Sequence, residues 1–364
     1  MTEHTPNKVI YKNWQEDLFK IKKTPLFAIK ERLLKTIGYD ENFGWIYFDC
    51  NLKFTDKNST YKKCFLVLNY HPKSIFTSDG NPGVNLSIQI NDETPRLFVH
   101  KFKPRDYNKH KNPLNINIQK HLTFWDEKRK AQIAIWNGKK VKLHLAYFPQ
   151  MPGWKFAKNS DFSNFFGIGP EGNSHWRVLI PRAKVKGFVE IDGTKHMVEG
   201  EGYCDQNWGN MNFSKFASKW YWGRIFTDNV TAIFADIHPK DGKSKFTPLF
   251  LKNKNDLLIT TSRAKISYDF PAKSKLLGKN FYKKILLNHK SLNASAEIIL
   301  RTKEVVEERD LLKIFHSPVK FSMLKRFIRP AYLRLNDEFV MTLKTKYGTK
   351  KIEGETYHEI MLTT

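Results

Sequence analysis

The sequence predicts an all-β protein, and three observations lead there. Past residue 44, runs rich in β-branched and aromatic residues recur at short, even intervals, bounded by Asn, Asp, Gly and Pro. Helical patterning is confined to the start of the chain. Aromatic residues make up 14% of the chain, with 28 Phe and 9 Trp, enough to fill a large core. Short strands with few helices indicate sandwiches or barrels rather than a parallel α/β sheet.

Residues 13–37 read as helical, with Pro25 opening a segment that runs through Leu33 and Leu34 to Gly38. Residues 1–43 are therefore expected to form a helical extension. Trp45–Phe48, Cys64–Leu68, Val84–Ile90 and Leu97–His100 then read as strands. Gln132–Trp136 and Val141–Leu145 flank Asn137-Gly138, a pair suited to a tight hairpin turn. Further strands are expected at 175–180, 184–190, 196–206, 219–226 and 229–237, with Asp192-Gly193 as a turn. The rest follows at 246–251, 257–267, 294–303, 310–316, 332–345 and 356–362. Two β units of similar length fit 364 residues. The expected boundary lies near 195, giving domains 44–195 and 196–364.

Composition limits the function classes. Lys+Arg 62 against Asp+Glu 36 leaves a net charge of +26, which favours an anionic partner or surface and says nothing about fold. The three cysteines, Cys50, Cys64 and Cys204, are odd in number and lack metal-ligand spacing, which argues against a disulfide framework. The twelve histidines show no metal-binding spacing either. No basic start leads into an apolar run, and no stretch approaches ~18 consecutive apolar residues. A cytoplasmic protein is expected. There is no GxSxG, Walker or HExxH motif. One literal GxGxxG occurs at Gly167–Gly172, but strand-like residues follow where a dinucleotide site needs a helix.

The most informative segment is 199–224. Tyr203 and Asp205 are two positions apart, so in a strand they share a face, and Trp220, Trp222 and Arg224 repeat that spacing further on. A carboxylate beside a tyrosine and indoles is costly to bury unless it is hydrogen-bonded or put to use. The glycines at 200, 202 and 209 mark bends or close backbone approach. The same pattern also suits a structural aspartate bonded to a backbone amide or to Arg224.

The run Gly200–Gly209 followed by Trp220–Arg224 resembles the signature of the carotenoid 1,2-hydratase (hydroxyneurosporene synthase) and AttH-like family, which also includes kievitone hydratase-type proteins. Trp45–Asp49 resembles the opening strand of that family, and His175-Trp176-Arg177 and Pro181–Gly187 fall where a strand leads into the signature. The resemblance implies two lipocalin-like β-barrel or β-sandwich units in tandem, with a ligand cavity between or inside them. It further implies cofactor-free chemistry on hydrophobic, often isoprenoid, substrates. Members include hydratases and relatives that cyclise, so fold alone does not settle the reaction. This chain departs in having Cys204 and Gln206 where the family aspartate is flanked by histidines, which calls a histidine-assisted proton relay into question.

On that reading Asp205 is the expected general acid, with Tyr203 and His175 as further catalytic candidates. Trp176, Trp208, Trp220, Trp222 and Arg224 are the expected substrate-binding residues, and neither metal nor cofactor is expected. Hydrating an isolated alkene requires protonating it first, hence a neutral acid held dry beside groups that tolerate a carbocation. An aspartic acid mostly protonated at neutral pH needs a shift of roughly three units, about 4 kcal/mol of differential environment. Burial among indoles is able to supply that, whereas a guanidinium beside the carboxyl would oppose it. Asp236 and His238 share a strand face nearby and are a weaker pair of candidates. A non-enzymatic carrier of a hydrophobic ligand and a cyclase are the competing readings.

Two segments are basic. Residues 96–130 hold ten Lys or Arg against three acidic residues, and 311–335 hold six against none, interleaved with apolar residues. The second suits peripheral contact with an anionic membrane, at the inner surface for a cytoplasmic protein, where a hydrophobic substrate would be collected. No nucleic-acid-binding motif accompanies it.

Overall fold

The computed structural model describes residues 43–57, 59–73, 81–109, 115–154, 174–209, 217–240, 246–254, 256–292, 294–311 and 330–363. The helix expected near the start, the GxGxxG segment and most of the basic stretch 311–335 lie outside these residues. The described chain is nearly all β, and every strand pairing is antiparallel. It divides into two units, Met1–Asn212 and Phe213–Thr364.

The first unit opens with β1 (Phe43–Phe54), β2 (Lys63–Lys73), β3 (Gly83–Ile90) and β4 (Arg96–Lys101). A single 3-10 turn, Pro104–Asp106, leads to β5 (Tyr107–Lys109), β6 (Ile116–Ile118) and β7 (His121–Asp126). The unit ends with β8 (Ala131–Asn137), β9 (Val141–Pro149), β10 (Ser174–Ile191) and β11 (Thr194–Gly209). All eleven form one sheet in the order β4-β3-β2-β1-β11-β10-β9-β8-β7-β6-β5, a meander whose two halves meet where β1 pairs β11. The sheet curls back on itself. The Tyr70 hydroxyl on β2 donates to the Leu122 carbonyl at 2.7 Å and accepts the Ile135 N–H at 2.8 Å, on β7 and β8 at the far side of the strand order.

The hairpins follow the turn chemistry. Gly138 closes the β8–β9 turn by donating to Val141 O at 3.0 Å. Asp192 and Gly193 both take positive φ, 47° and 88°, as a tight turn between β10 and β11 requires. The runs expected at 175–180 and 184–190 are one long strand, bulged between Val178 and Ile180 and again between Ile180 and Ala183. Pro181, which cannot donate to a ladder, sits in the second bulge.

The boundary was expected near 195, within about twenty residues, and the two units divide between Asn212 and Phe213. The reason is pairing: Thr194–Gly209 hydrogen-bonds to β1 on one side and β10 on the other, so it belongs to the first sheet.

The second unit comprises β12 (Ala217–Phe226), β13 (Val230–Pro239), β14 (Leu249–Asn253), β15 (Leu257–Thr261) and β16 (Lys265–Lys273). It continues with β17 (Asn280–Lys290), β18 (Ala294–Asp310), β19 (Ala331–Thr345) and β20 (Gly348–Leu362). Their order is β15-β14-β13-β12-β20-β19-β18-β17-β16. This sheet curls too, since Tyr268 on β16 donates to Asp236 on β13.

Each unit has its own apolar cluster. On β1 the even-numbered residues Ile46, Phe48, Cys50 and Leu52 enter the first cluster, joined by Cys204 from β11. On β12 Tyr221 and Ile225 enter the second. Strand alternation therefore turns Tyr47, Asp49, Tyr203 and Asp205 to the opposite face of the first sheet, and Trp220, Trp222 and Arg224 to the opposite face of the second. Close approach of β1 to β11 explains two glycines. A β-carbon at Gly200 would lie 1.9 Å from Asn51 O, and one at Gly202 would lie 2.6 Å from both Asp49 O and the Tyr147 ring.

Candidate functional site

The site is built on β1, β11 and β10 of the first unit. In the ladder, Tyr47 stands opposite Asp205 and Asp49 opposite Tyr203. Each strand thus contributes a Tyr-x-Asp pair to one face, the two pairs running in opposite directions. Tyr203 OH donates to Asp205 Oδ2 at 2.9 Å, and Tyr47 OH donates to Asp49 Oδ2 at 3.3 Å. The two phenol rings meet edge to face with centroids 6.1 Å apart. Trp176 on β10 reaches across and donates from Nε1 to Asp205 Oδ2 at 2.8 Å. Asn207 Nδ2 donates to Asp205 Oδ1 at 3.0 Å. Trp154 packs edge-on against Trp176, centroids 6.1 Å apart.

Both carboxyls are buried, Asp205 at 5% exposure and Asp49 at 1%. Burial pushes the Cys204 thiol, next to Asp205 in the chain, well above its usual range. Oδ2 of Asp205 faces two donors, of which the indole N–H is unable to accept. Asp205 therefore accepts from Trp176 and Tyr203 at Oδ2 and from Asn207 at Oδ1.

Of the residues expected from the sequence, Tyr203, Asp205 and Trp176 come together. His175 and Trp208 face each other in the β10–β11 ladder, but their side chains lie outside those described. Trp220, Trp222 and Arg224 belong to the second unit. There Trp222 and Arg224 are buried, and the Arg224 guanidinium stacks on Phe226, 4.3 Å from its centroid. Cys204 and Gln206, the two departures from the family signature, point away from Asp205 because they are its immediate strand neighbours. Cys204 lies in the apolar cluster. Histidines there would not share the face of the carboxyl, so losing them leaves its immediate partners in place.

Tyr47 and Asp49 were missed by sequence reasoning. The available signal was a second Tyr-x-Asp at 47–49 matching the one at 203–205.

Asp236 and His238 also meet, in the second unit. His238 Nε2 and Asp236 Oδ2 are 2.6 Å apart, Thr247 donates to Asp236 Oδ1 at 2.8 Å, and Tyr268 donates to Oδ2. Burial pushes this carboxyl up, but the bonds from His238, Tyr268 and Thr247 together hold it below the usual range. Hydrogen bonds to the charged form favour it, so this is an ionised, anchored aspartate. Among the described residues no group of His, Cys, Asp or Glu is placed to hold a metal ion, and no helix is long and apolar enough to cross a membrane.

Fold and site together define a class: two curled antiparallel sheets in tandem, lipocalin-like, with a buried carboxyl bonded by tyrosine and tryptophan. The family model of the carotenoid hydratase CrtC matches residues 160–268. A hydroxyneurosporene dehydrogenase of Chlorobaculum tepidum is 29% identical over 79 residues, 20% of this chain. The match spans 21%, about a fifth, of the length of that curated relative. An AttH protein of Nitrosomonas europaea aligns with a TM-score of 0.62 at 13% identity, over 88% of this chain and 92% of that one. Kievitone hydratase from Nectria haematococca gives 0.58 at 13% identity, over 89% and 90%. CghA in complex with Sch210972 gives 0.56 at 10% identity, over 88% of each chain. The resemblance read from the signature therefore holds: the chain is similar in sequence to the carotenoid hydratases over 160–268 and similar in fold to AttH and kievitone hydratase.

Proposed function

We propose that the protein is a cofactor-independent hydratase, or a closely related lyase or isomerase, acting on a hydrophobic isoprenoid or lipid-like alkene. The observation that supports this reading most is the buried Asp205, fixed by Trp176, Tyr203 and Asn207 on the sheet face turned away from the apolar cluster. A similar segment in carotenoid hydratases supports the reaction class.

In this mechanism Asp205 gives its carboxyl proton to one carbon of the double bond. The Trp176 indole and the Tyr203 phenol stay bonded to Oδ2 and stabilise the carboxylate left behind. The positive charge on the other carbon is met by aromatic faces, each cation–π contact contributing about 2 kcal/mol when desolvated. Water then adds to the cation and its extra proton goes to the Asp205 carboxylate, which restores the acid. The basic stretch 311–335 brings the protein to an anionic membrane, where such a substrate dissolves.

The test is incubation of wild type and Asp205→Asn with a pool of cellular lipids in heavy-oxygen water. Label incorporated by wild type alone supports the hydratase. Label from both proteins removes Asp205 from the mechanism. None from either moves the assignment to a carrier, or to a cyclase that adds no water.

A further inference from the structure

The β16–β17 hairpin forms one edge of the second sheet, since β16 ends its strand order. We propose that this hairpin is a membrane-docking element: its lysines meet the head groups of an anionic lipid surface while Phe270 and Leu276 enter the acyl boundary. It adds a structured contact to the one at 311–335 and rests, like that one, on the reading that the protein works at an anionic membrane. It does not depend on the chemistry of Asp205.

Backbone conformation supports it first. Tyr268 and Ala272 pack against the apolar cluster of the second unit, and strand alternation would place Phe270 with them. Phe270 is instead 60% exposed and takes a φ of 55°. A bulky side chain at positive φ is a strained outlier. The ladder passes from Asp269–Lys284 to Pro271–Tyr282 without it, and the Asp269 side chain accepts the Phe270 N–H at 2.8 Å. Strain that holds a phenylalanine in solvent brings the fold no benefit, so it points to a partner that the ring meets.

The tip supports it second. Leu276, 79% exposed, sits in the turn. The Glu308 carboxylate accepts the N–H groups of Lys275, Leu276 and Leu277 at 3.0, 2.9 and 3.3 Å, and Gly278 supplies a φ of 64°. Leu277 packs against the apolar cluster. The turn thus presents Leu276 outward in a fixed shape, which lowers the ordering cost of binding.

Charge supports it third and selects the partner. Residues 265–290 hold seven lysines, one aspartate and no arginine. The Lys284 ammonium lies 3.5 Å from Asp269 and 5.7 Å from the Phe270 ring centroid. Lysines on an edge strand also discourage pairing between molecules, but an exposed phenylalanine among them works against that purpose. Lysines around exposed apolar side chains suit an anionic bilayer. A nucleic acid would be held by arginine forks and stacking aromatics, and Leu276 offers neither.

The test is flotation of the full-length protein with vesicles of phosphatidylcholine, alone or mixed with phosphatidylserine, at low salt. Phe270→Gly combined with Leu276→Ser should weaken binding to mixed vesicles by about tenfold or more. Lys273→Gln, Lys275→Gln and Lys283→Gln together should weaken it by about 100-fold. Phe270→Gly alone should unfold at no lower a urea concentration than wild type, because glycine relieves the positive φ, yet bind more weakly. A structural phenylalanine would instead cost stability. The three native cysteines are buried, so Leu276→Cys takes an environment-sensitive dye at one site, and that dye should brighten on mixed vesicles. Unchanged binding by either multiple variant, or a dye that stays in water while the protein is bound, overturns the hairpin assignment and leaves the contact at 311–335 standing. Absence of wild-type binding to mixed vesicles sinks both membrane contacts together, whatever the reaction at Asp205. Tighter binding of wild type to single-stranded DNA than to mixed vesicles, lost in the lysine variant, gives the hairpin to nucleic acid and overturns the proposal.

Discussion

Acidification should loosen the first unit through two buried neutral histidines, His71 and His121. His121 is fully buried, and its Nδ1 accepts the Asn137 backbone N–H at 3.2 Å, so its own proton sits on Nε2 and points to His100 Nδ1 at 2.9 Å. A second proton has nowhere to bind without displacing the Asn137 amide. Burial, with the nearby charges of His100 and Lys120, pulls His121 down to about 3, and burial pulls His71 down to about 4 although Asn85 opposes it. Both folded values lie below the usual 6.5, so the unfolded chain takes up protons first as the pH falls. The contribution is complete above pH 6.5 and shrinks through the window down to the folded values. Moving from pH 7 to pH 5 costs about 2 kcal/mol per histidine, at ~1.4 kcal/mol per pH unit over ~1.5 units. Urea unfolding followed by tryptophan fluorescence at both pH values measures this. His121→Gln should be less stable at pH 7 yet lose about 2 kcal/mol less than wild type on going to pH 5. Equal losses in the two proteins would refute the tautomer argument.

Three further outcomes are expected. Trp176→Phe removes an N–H that bonds a carboxyl, an interaction worth about 1.5–3 kcal/mol; turnover should fall roughly tenfold to a hundredfold while a lipid ligand is still retained on mass spectrometry. Gly200→Ala drives a β-carbon to within 1.9 Å of Asn51 O and should destabilise the first unit by about 3 kcal/mol or more in urea, through separation of β1 from β11. The full-length protein should pellet with anionic liposomes and be released as salt rises, since attraction is screened within roughly 10 Å at 0.1 M. Charge reversal at Lys325, Arg326 and Arg329 should weaken that binding, and equal binding to neutral vesicles would refute its electrostatic origin.

Much of the fold was legible because sheets write themselves in period two. The alternation Ile46, Phe48, Cys50 against Tyr47, Asp49 sorts one strand into an apolar face and a functional one. Asn137-Gly138 and Asp192-Gly193 mark hairpins because few residues tolerate positive φ. The domain boundary was legible only roughly, since nothing local in Thr194–Gly209 says that its partner is β1, about 150 residues earlier in the chain. The pairing of Asp49 with the Asp205 face was hidden for the same reason. Tyr203 with Asp205 could be read from one strand, but Trp176 joining them depended on a bulged β10, whose register is set by the fold. The flanking Cys204 and Gln206 looked like a loss of relay groups only while their direction was unknown.

The central claim is that Asp205 is a neutral acid at working pH. An infrared difference spectrum between wild type and Asp205→Asn at neutral pH measures that protonation state without any substrate. The variant should lose a carboxylic acid C=O band, one that shifts in deuterium oxide. Loss of carboxylate bands alone would show Asp205 already ionised, and would contradict its role as proton donor.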